Sequence, residues 1–128
     1  MTGAPRSVHT EAAPKAIGPY SQAVIAGPLV FVSGQIPLDP ATGQLVAGEF
    51  VAEVEQVLAN VDAVLQAAGS SRDRVAKVSV FVTDLSLFGT LNEVYARFFG
   101  DHRPARAVVQ VCALPRGVRV EMEAVALL

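Results

Sequence analysis

Apolar residues recur along the chain with two kinds of spacing, which together divide it into a series of predicted elements. Runs rich in β-branched residues predict strands, and apolar residues three and four positions apart predict helices with one buried face. Gly69 and Gly100 follow the two helical patterns and end them. The predicted elements are strands at residues 22–26 and 29–33, a helix at 49–68, a strand at 75–82, a helix at 86–99, and strands at 105–113 and 118–127.

This order of elements predicts an α+β fold. Two helices separated by a strand would cover one face of a mixed β-sheet, giving a two-layer sandwich. No internal repeat or linker interrupts the pattern, so we expect residues 1–128 to form a single domain. The other sheet face would be left without a covering layer.

The last two predicted strands are joined by the sequence Leu114-Pro115-Arg116-Gly117. Proline at the second position and glycine at the fourth predict a type I turn, and therefore a hairpin in which Leu114 faces Gly117. Strand alternation would place one apolar set against the helices and the other set on the opposite face. The apolar set is Ala107, Val109, Val111, Ala113, Val118, Val120, Met122, Ala124 and Ala126; the opposite set is Arg106, Val108, Gln110, Cys112, Arg119, Glu121, Glu123, Val125 and Leu127.

Composition and charge narrow the function classes. Hydrophobic residues make up 52% and charged residues 17% of the chain, which excludes a disordered protein. A net charge of −2 argues against a nucleic-acid-binding protein, and no apolar stretch is long enough to indicate a membrane protein. The single cysteine excludes an intrachain disulfide and a multi-cysteine zinc site. With no signal peptide visible, we expect a cytoplasmic protein that hides its surplus apolar surface in an oligomer.

Arg106 and Glu121 are the candidate chemical groups of the predicted hairpin. They would face the same way with their backbones about 13 Å apart, far enough to bracket a small molecule. A guanidinium matches a carboxylate, and a glutamate can activate water as a general base. From the residues alone this pair suggests a site for a small carboxylic acid with a hydrolysable centre, although two residues by themselves favour an ordinary solvated pair.

Seven sequence blocks resemble those of the YjgF/RidA family, the reactive-intermediate (imine) deaminases. The first is Ala13-Pro14-Lys15-Ala16-Ile17-Gly18-Pro19-Tyr20-Ser21-Gln22-Ala23. The matches run in order over nearly the whole chain, which makes them specific as a set. The other blocks are residues 32–37, Asn60-Val61, 80–85, 91–95, 104–108 and 120–124.

The resemblance implies a fold of the chorismate-mutase-like trimeric type, with ligand sites in clefts between subunits. It implies that Arg106 holds the substrate carboxylate and that Glu121 positions a water molecule. The implied reaction is hydrolysis of 2-iminobutanoate or of 2-iminopropanoate, the tautomer of 2-aminoacrylate, to a 2-oxo acid and ammonia without metal or cofactor. The other implied substrate-binding residues are Tyr20, Ser33, Gly34, Asn92 and Val108.

Val108 is a departure from the family pattern, because many members carry cysteine there. This difference leaves the subfamily and the preferred substrate side chain open. Two other functions also stay open: a regulatory trimer that binds small carboxylates with little or no turnover, and a ribonuclease or translation inhibitor. The negative net charge makes the last of these the weakest.

Overall fold

The computed structural model describes residues 3–128 and contains a six-stranded mixed sheet with two helices. Every predicted element is present, and a short N-terminal strand is added. In chain order the elements are β1 (Arg6–Val8), β2 (Ala23–Ala26), β3 (Leu29–Gln35), α1 (Phe50–Ala67), β4 (Val75–Val82), α2 (Phe88–Phe99), β5 (Ala105–Gln110) and β6 (Val120–Leu127).

Both helices pack against the same face of the sheet, which confirms the predicted two-layer α+β architecture. Their buried residues recur at helical spacing, so each helix presents one apolar face to the strands. Gly69 adopts φ 88°, a left-handed conformation that suits the residue just after a helix. The buried helical side chains include Val54, Val57, Leu58, Val61 and Leu65 of α1, and Leu91, Val94, Tyr95 and Phe99 of α2.

The order of strands in the sheet is β1-β2-β3-β6-β4-β5. β6 therefore lies in the middle of the sheet and pairs antiparallel with both β3 and β4. β5 pairs in parallel with β4, and α2 forms the crossover between these two strands. The predicted β5–β6 hairpin is wrong, because β4 separates the two strands.

The turn before β6 also differs from its prediction. The N–H of Gly117 donates to the carbonyl of Leu114 at 3.1 Å, as expected for a tight turn. Arg116, however, has φ 58° and ψ 19°, which excludes a type I turn, since that turn needs a negative φ at its third residue. The turn redirects a connecting segment and does not join two paired strands.

The strand faces follow from this pairing. β6 has the predicted faces, with Val120 and Met122 in the core and Glu121 on the other side. β5 has the opposite of its predicted faces: Val108 packs against the core, whereas Val109 is 44% exposed. The alternation within β5 is as expected, but its parallel register with β4 decides which set of residues faces the helices.

Arg106 and Glu121 consequently lie on opposite faces of the sheet, and the prediction that they share one face is wrong. Arg106 is paired with Val78, whose side chain is in the core, so Arg106 is on the helix side. Glu121 is paired with Phe81, on the face without helices. That helix-free face also carries the exposed apolar side chains of Phe31 and Leu127.

The left-handed backbone of Arg116 predicts a stability difference between two substitutions. Arg116→Val should lower the free energy of unfolding by about 1–2 kcal/mol, because a β-branched residue is strained at this φ. Arg116→Asn loses the same charge but tolerates the left-handed region, so it is the matched control and should stay close to the parent protein. Urea unfolding at one protein concentration measures the free energy of unfolding of both variants. If the two variants were equally stable, the claim that a β-branched residue is strained at position 116 would be contradicted.

Candidate functional site

A cavity of about 500 Å³ opens beside β3 and β6 and contains four of the predicted site residues. Tyr20, Ser33, Gly34 and Glu121 all line it, and we call this group the glutamate pocket. Lys15, Ile17 and Arg116 also line the cavity and were missed as site residues. Lys15 and Ile17 belong to the first family-like block, so the sequence did carry a signal for them.

An irregularity in β3 shapes the glutamate pocket. Val32 pairs with Ala124 and Gln35 pairs with Met122, so Ser33 and Gly34 together oppose a single residue of β6. Such a β-bulge bends a strand and redirects its side chains. A Cβ atom built at Gly34 would overlap the Oε2 atom of Glu121, so any larger residue would force this carboxylate to move. The bulge therefore brings the β3 backbone directly against Glu121.

Ser33 also holds the loop that carries Tyr20. Its hydroxyl donates to the carbonyl of Ser21 at 2.6 Å, and its N–H donates to the carbonyl of Gln22 at 3.0 Å. The buried amide of Gln22 donates in turn to the carbonyl of Pro14 at 2.8 Å. These bonds fix the wall of the pocket between residues 14 and 22.

A second buried amide supports another part of the cavity lining. Asn60 of α1 is 1% exposed and donates to the carbonyls of Leu38 at 3.0 Å and Ile36 at 3.2 Å. Both of these residues line the cavity. Asn60 belongs to a family-like block, and its contacts give it a structural part in holding the loop after β3.

Burial raises the pKa of Glu121, and the negative charge of nearby Glu123 raises it further. Taking a carboxylate out of water disfavours its charged form, and a like charge acts in the same direction. A carboxylate with a raised pKa is a stronger base when it is ionised. Glu121 thus has the chemistry of a general base or of a group that orients water.

The remaining predicted residues lie on the helix side of the sheet. Arg106 and Val108 are on β5, two residues apart on the same strand face, and Asn92 is half-buried on α2. We call these three residues the arginine face. The Cζ atom of Arg106 is 4.8 Å from the ring centroid of Tyr95 and 5.6 Å from that of Phe88.

Arg106 is exposed and makes none of the ion pairs found within residues 3–128. A guanidinium presents a planar fork of donors that matches a carboxylate. The arginine face can therefore accept the carboxylate of a ligand. Since the sheet separates it from the glutamate pocket, one small ligand could touch both groups only between two copies of the chain.

A larger cavity of about 730 Å³ lies along the outer side of the helices and contains none of the predicted site residues. Its Arg72 already pairs with Asp62 at 3.2 Å and donates to the carbonyl of Phe98 at 2.9 Å.

Over residues 3–128, no helix is long and apolar enough to cross a membrane. Within the same range, no group of three acidic, histidine or cysteine side chains could hold a metal ion.

Known proteins resemble this chain over most of its length. A mouse protein named 2-iminobutanoate/2-iminopropanoate deaminase is 50% identical over 119 residues, covering 93% of this chain and 88% of its own. A Myxococcus xanthus protein named DfrA is 54% identical over 123 residues, covering 94% of both chains. The crystal structure of E. coli TdcF with bound serine superposes with a TM-score of 0.92 at 45% identity, covering 96% of this chain and 98% of that one.

The family model described as Endoribonuclease L-PSP matches residues 10–128. Together with the sequence blocks, the shared α+β fold and relatives named as imine deaminases, this match identifies the family. The chain belongs to the endoribonuclease L-PSP family, which is the YjgF/RidA family.

Proposed function

We propose that this protein is an imine deaminase that hydrolyses small 2-imino acids to 2-oxo acids and ammonia. The observation that carries the proposal is Glu121, a carboxylate of raised pKa at a cavity wall against the Gly34 backbone. Relatives named 2-iminobutanoate/2-iminopropanoate deaminase, from mouse at 50% and from human at 48% identity, support this substrate class. The bound serine of E. coli TdcF supports a ligand of amino-acid size.

In the proposed site, Arg106 of one copy binds the carboxylate of the 2-imino acid. Glu121 of a second copy takes a proton from water as the water oxygen attacks the imine carbon. Glu121 gives this proton to the nitrogen, which leaves a hydroxyl and an amino group on the same carbon. The hydroxyl proton then moves through Glu121 to the nitrogen as the carbon–oxygen double bond forms and the carbon–nitrogen bond breaks, so that ammonia and a 2-oxo acid are released. One water is consumed for each imine hydrolysed.

A homotrimer is the assembly that we propose for this site. Phe31, Val109 and Leu127 expose 42–45% of their surface on the helix-free face, and packing copies against that face would bury them. The same packing would exclude water from Glu121, which strengthens charge interactions there.

The cytoplasmic location of the protein stays a prediction.

The function is tested by mixing the protein with a serine or threonine dehydratase and semicarbazide, which traps the released imine. A deaminase should divert imine from the semicarbazone to the 2-oxo acid, in proportion to the amount of protein added. Glu121→Gln has nearly the same shape without the base, so it is the matched control and should lose most of this effect. Semicarbazone formation unchanged by an excess of the folded parent protein would contradict the proposal, even if the protein bound 2-oxobutanoate.

A site shared between copies predicts that two inactive variants restore each other. Arg106→Ala and Glu121→Gln should each be nearly inactive as homotrimers, since each removes one half of every site. In a mixed ring of three subunits one of the three sites regains both groups, so isolated mixed rings should have about a third of the parent activity. Co-expression with two affinity tags isolates the mixed rings for the assay. Mixed rings without activity would contradict the shared site.

The raised pKa of Glu121 predicts the acid side of the pH profile. Because the ionised form is the base, kcat/KM should fall as pH drops through this pKa, with a midpoint above the ordinary value of 4.5. Glu123→Gln removes a nearby negative charge and should move the midpoint to lower pH without abolishing activity. Subtracting the rate measured with Glu121→Gln at each pH corrects for uncatalysed hydrolysis. If Glu123→Gln left the midpoint unchanged, the proposed effect of the Glu123 charge on the pKa of Glu121 would be contradicted.

A further inference from the structure

The side chain of Arg106 is held against two aromatic rings of α2. Its Cζ atom lies 4.8 Å from the centroid of Tyr95 and 5.6 Å from that of Phe88, within the range of cation–π contacts. Phe88 and Tyr95 are seven positions apart, so the two rings lie on one side of the helix, two turns from each other. No carboxylate of residues 3–128 forms an ion pair with this guanidinium.

We propose that Phe88 and Tyr95 are positioning residues that orient the Arg106 guanidinium for the substrate carboxylate. This inference rests on the proposed function and concerns the same site. An arginine side chain has four flexible torsions, and fixing them when a ligand binds costs conformational entropy. Rings that restrict these torsions beforehand reduce that cost.

A cation–π contact also leaves the right part of the guanidinium free. The rings attract the positive charge through their faces, whereas the N–H donors of the guanidinium point outward in its own plane. An acidic neighbour in place of the rings would occupy those donors and would compete with the substrate. Aromatic neighbours can hold the cation and keep its fork available.

The ring of Tyr95, and not its hydroxyl, carries this proposed role. The hydroxyl is buried and has no hydrogen-bond partner within residues 3–128. Burial raises the pKa of Tyr95 to about 12, although Arg106 opposes the rise, so the phenol is neutral at physiological pH. Phe88 is 41% exposed, so its ring can be removed with little effect on the core.

Phe88→Leu is therefore the decisive variant. It should raise KM for the imine released by the dehydratase, and the Kd for 2-oxobutanoate, by about 3- to 10-fold, while kcat changes by less than about 2-fold. Phe88→Tyr returns a ring and should bring both constants back to within about 2-fold of the parent values. If Phe88 only stabilised the fold, Phe88→Leu would lower the unfolding midpoint but would not raise KM while leaving kcat unchanged.

Phe98→Leu is the matched control, because Phe98 makes the same kind of contact with another arginine. The Cζ atom of Arg72 lies 4.0 Å from the Phe98 centroid, away from both halves of the candidate site. This variant also loses one arginine–ring contact, and its KM should equal that of the parent. An equal rise in KM for both variants would overturn the proposal.

A double-mutant cycle tests whether Phe88 acts through Arg106. In the Arg106→Ala background, Phe88→Leu should cause no further loss of 2-oxobutanoate binding, because the group that it positions is gone. The same loss in both backgrounds would overturn the positioning role. If the parent protein binds 2-oxobutanoate but has no deaminase activity, the proposed function fails while the cycle still decides this inference.

Discussion

The antiparallel pairing of β6 with both β3 and β4 is the constraint on which the glutamate pocket depends. It places Val120 and Met122 in the core and leaves Glu121 on the helix-free face, paired with Phe81 on one side. On the other side the β3 bulge brings Gly34 against the carboxylate. A side chain held between two strands cannot turn fully into water, and this burial raises the pKa of Glu121, with the charge of Glu123 acting in the same direction.

The parallel crossover through α2 has the complementary effect on Arg106. It makes β5 an edge strand and turns Arg106 toward the aromatic rings of α2. Within one copy the sheet then separates the guanidinium from Glu121, so the two opposite charges cannot neutralise each other. An ion pair between them would occupy the donors of the guanidinium and lower the pKa of the glutamate. Their separation leaves the guanidinium and the carboxylate unpaired with each other within one copy.

Much of this fold could be predicted from the chain alone. Apolar spacing identified both helices and all strands except β1, because buried faces repeat with the period of their element. The β5–β6 hairpin was wrong because a local turn signal, Pro115 to Gly117, outweighed the order strand–helix–strand, which favours parallel pairing. The bulge at Ser33 and Gly34 had no signal in the pattern, since it reflects the fit of β3 to β6.

The sequence by itself determined the types of element, the family, and the residue types available for chemistry, because these depend on local periodicity and on the order of motifs. Only the tertiary structure decided that Arg106 and Glu121 lie on opposite faces. Alternation fixes which residues of one strand share a face, but hydrogen bonding to a distant strand decides which face meets the core. That choice is non-local, so the division of the candidate residues between two sheet faces follows only from the position of β4 between β5 and β6.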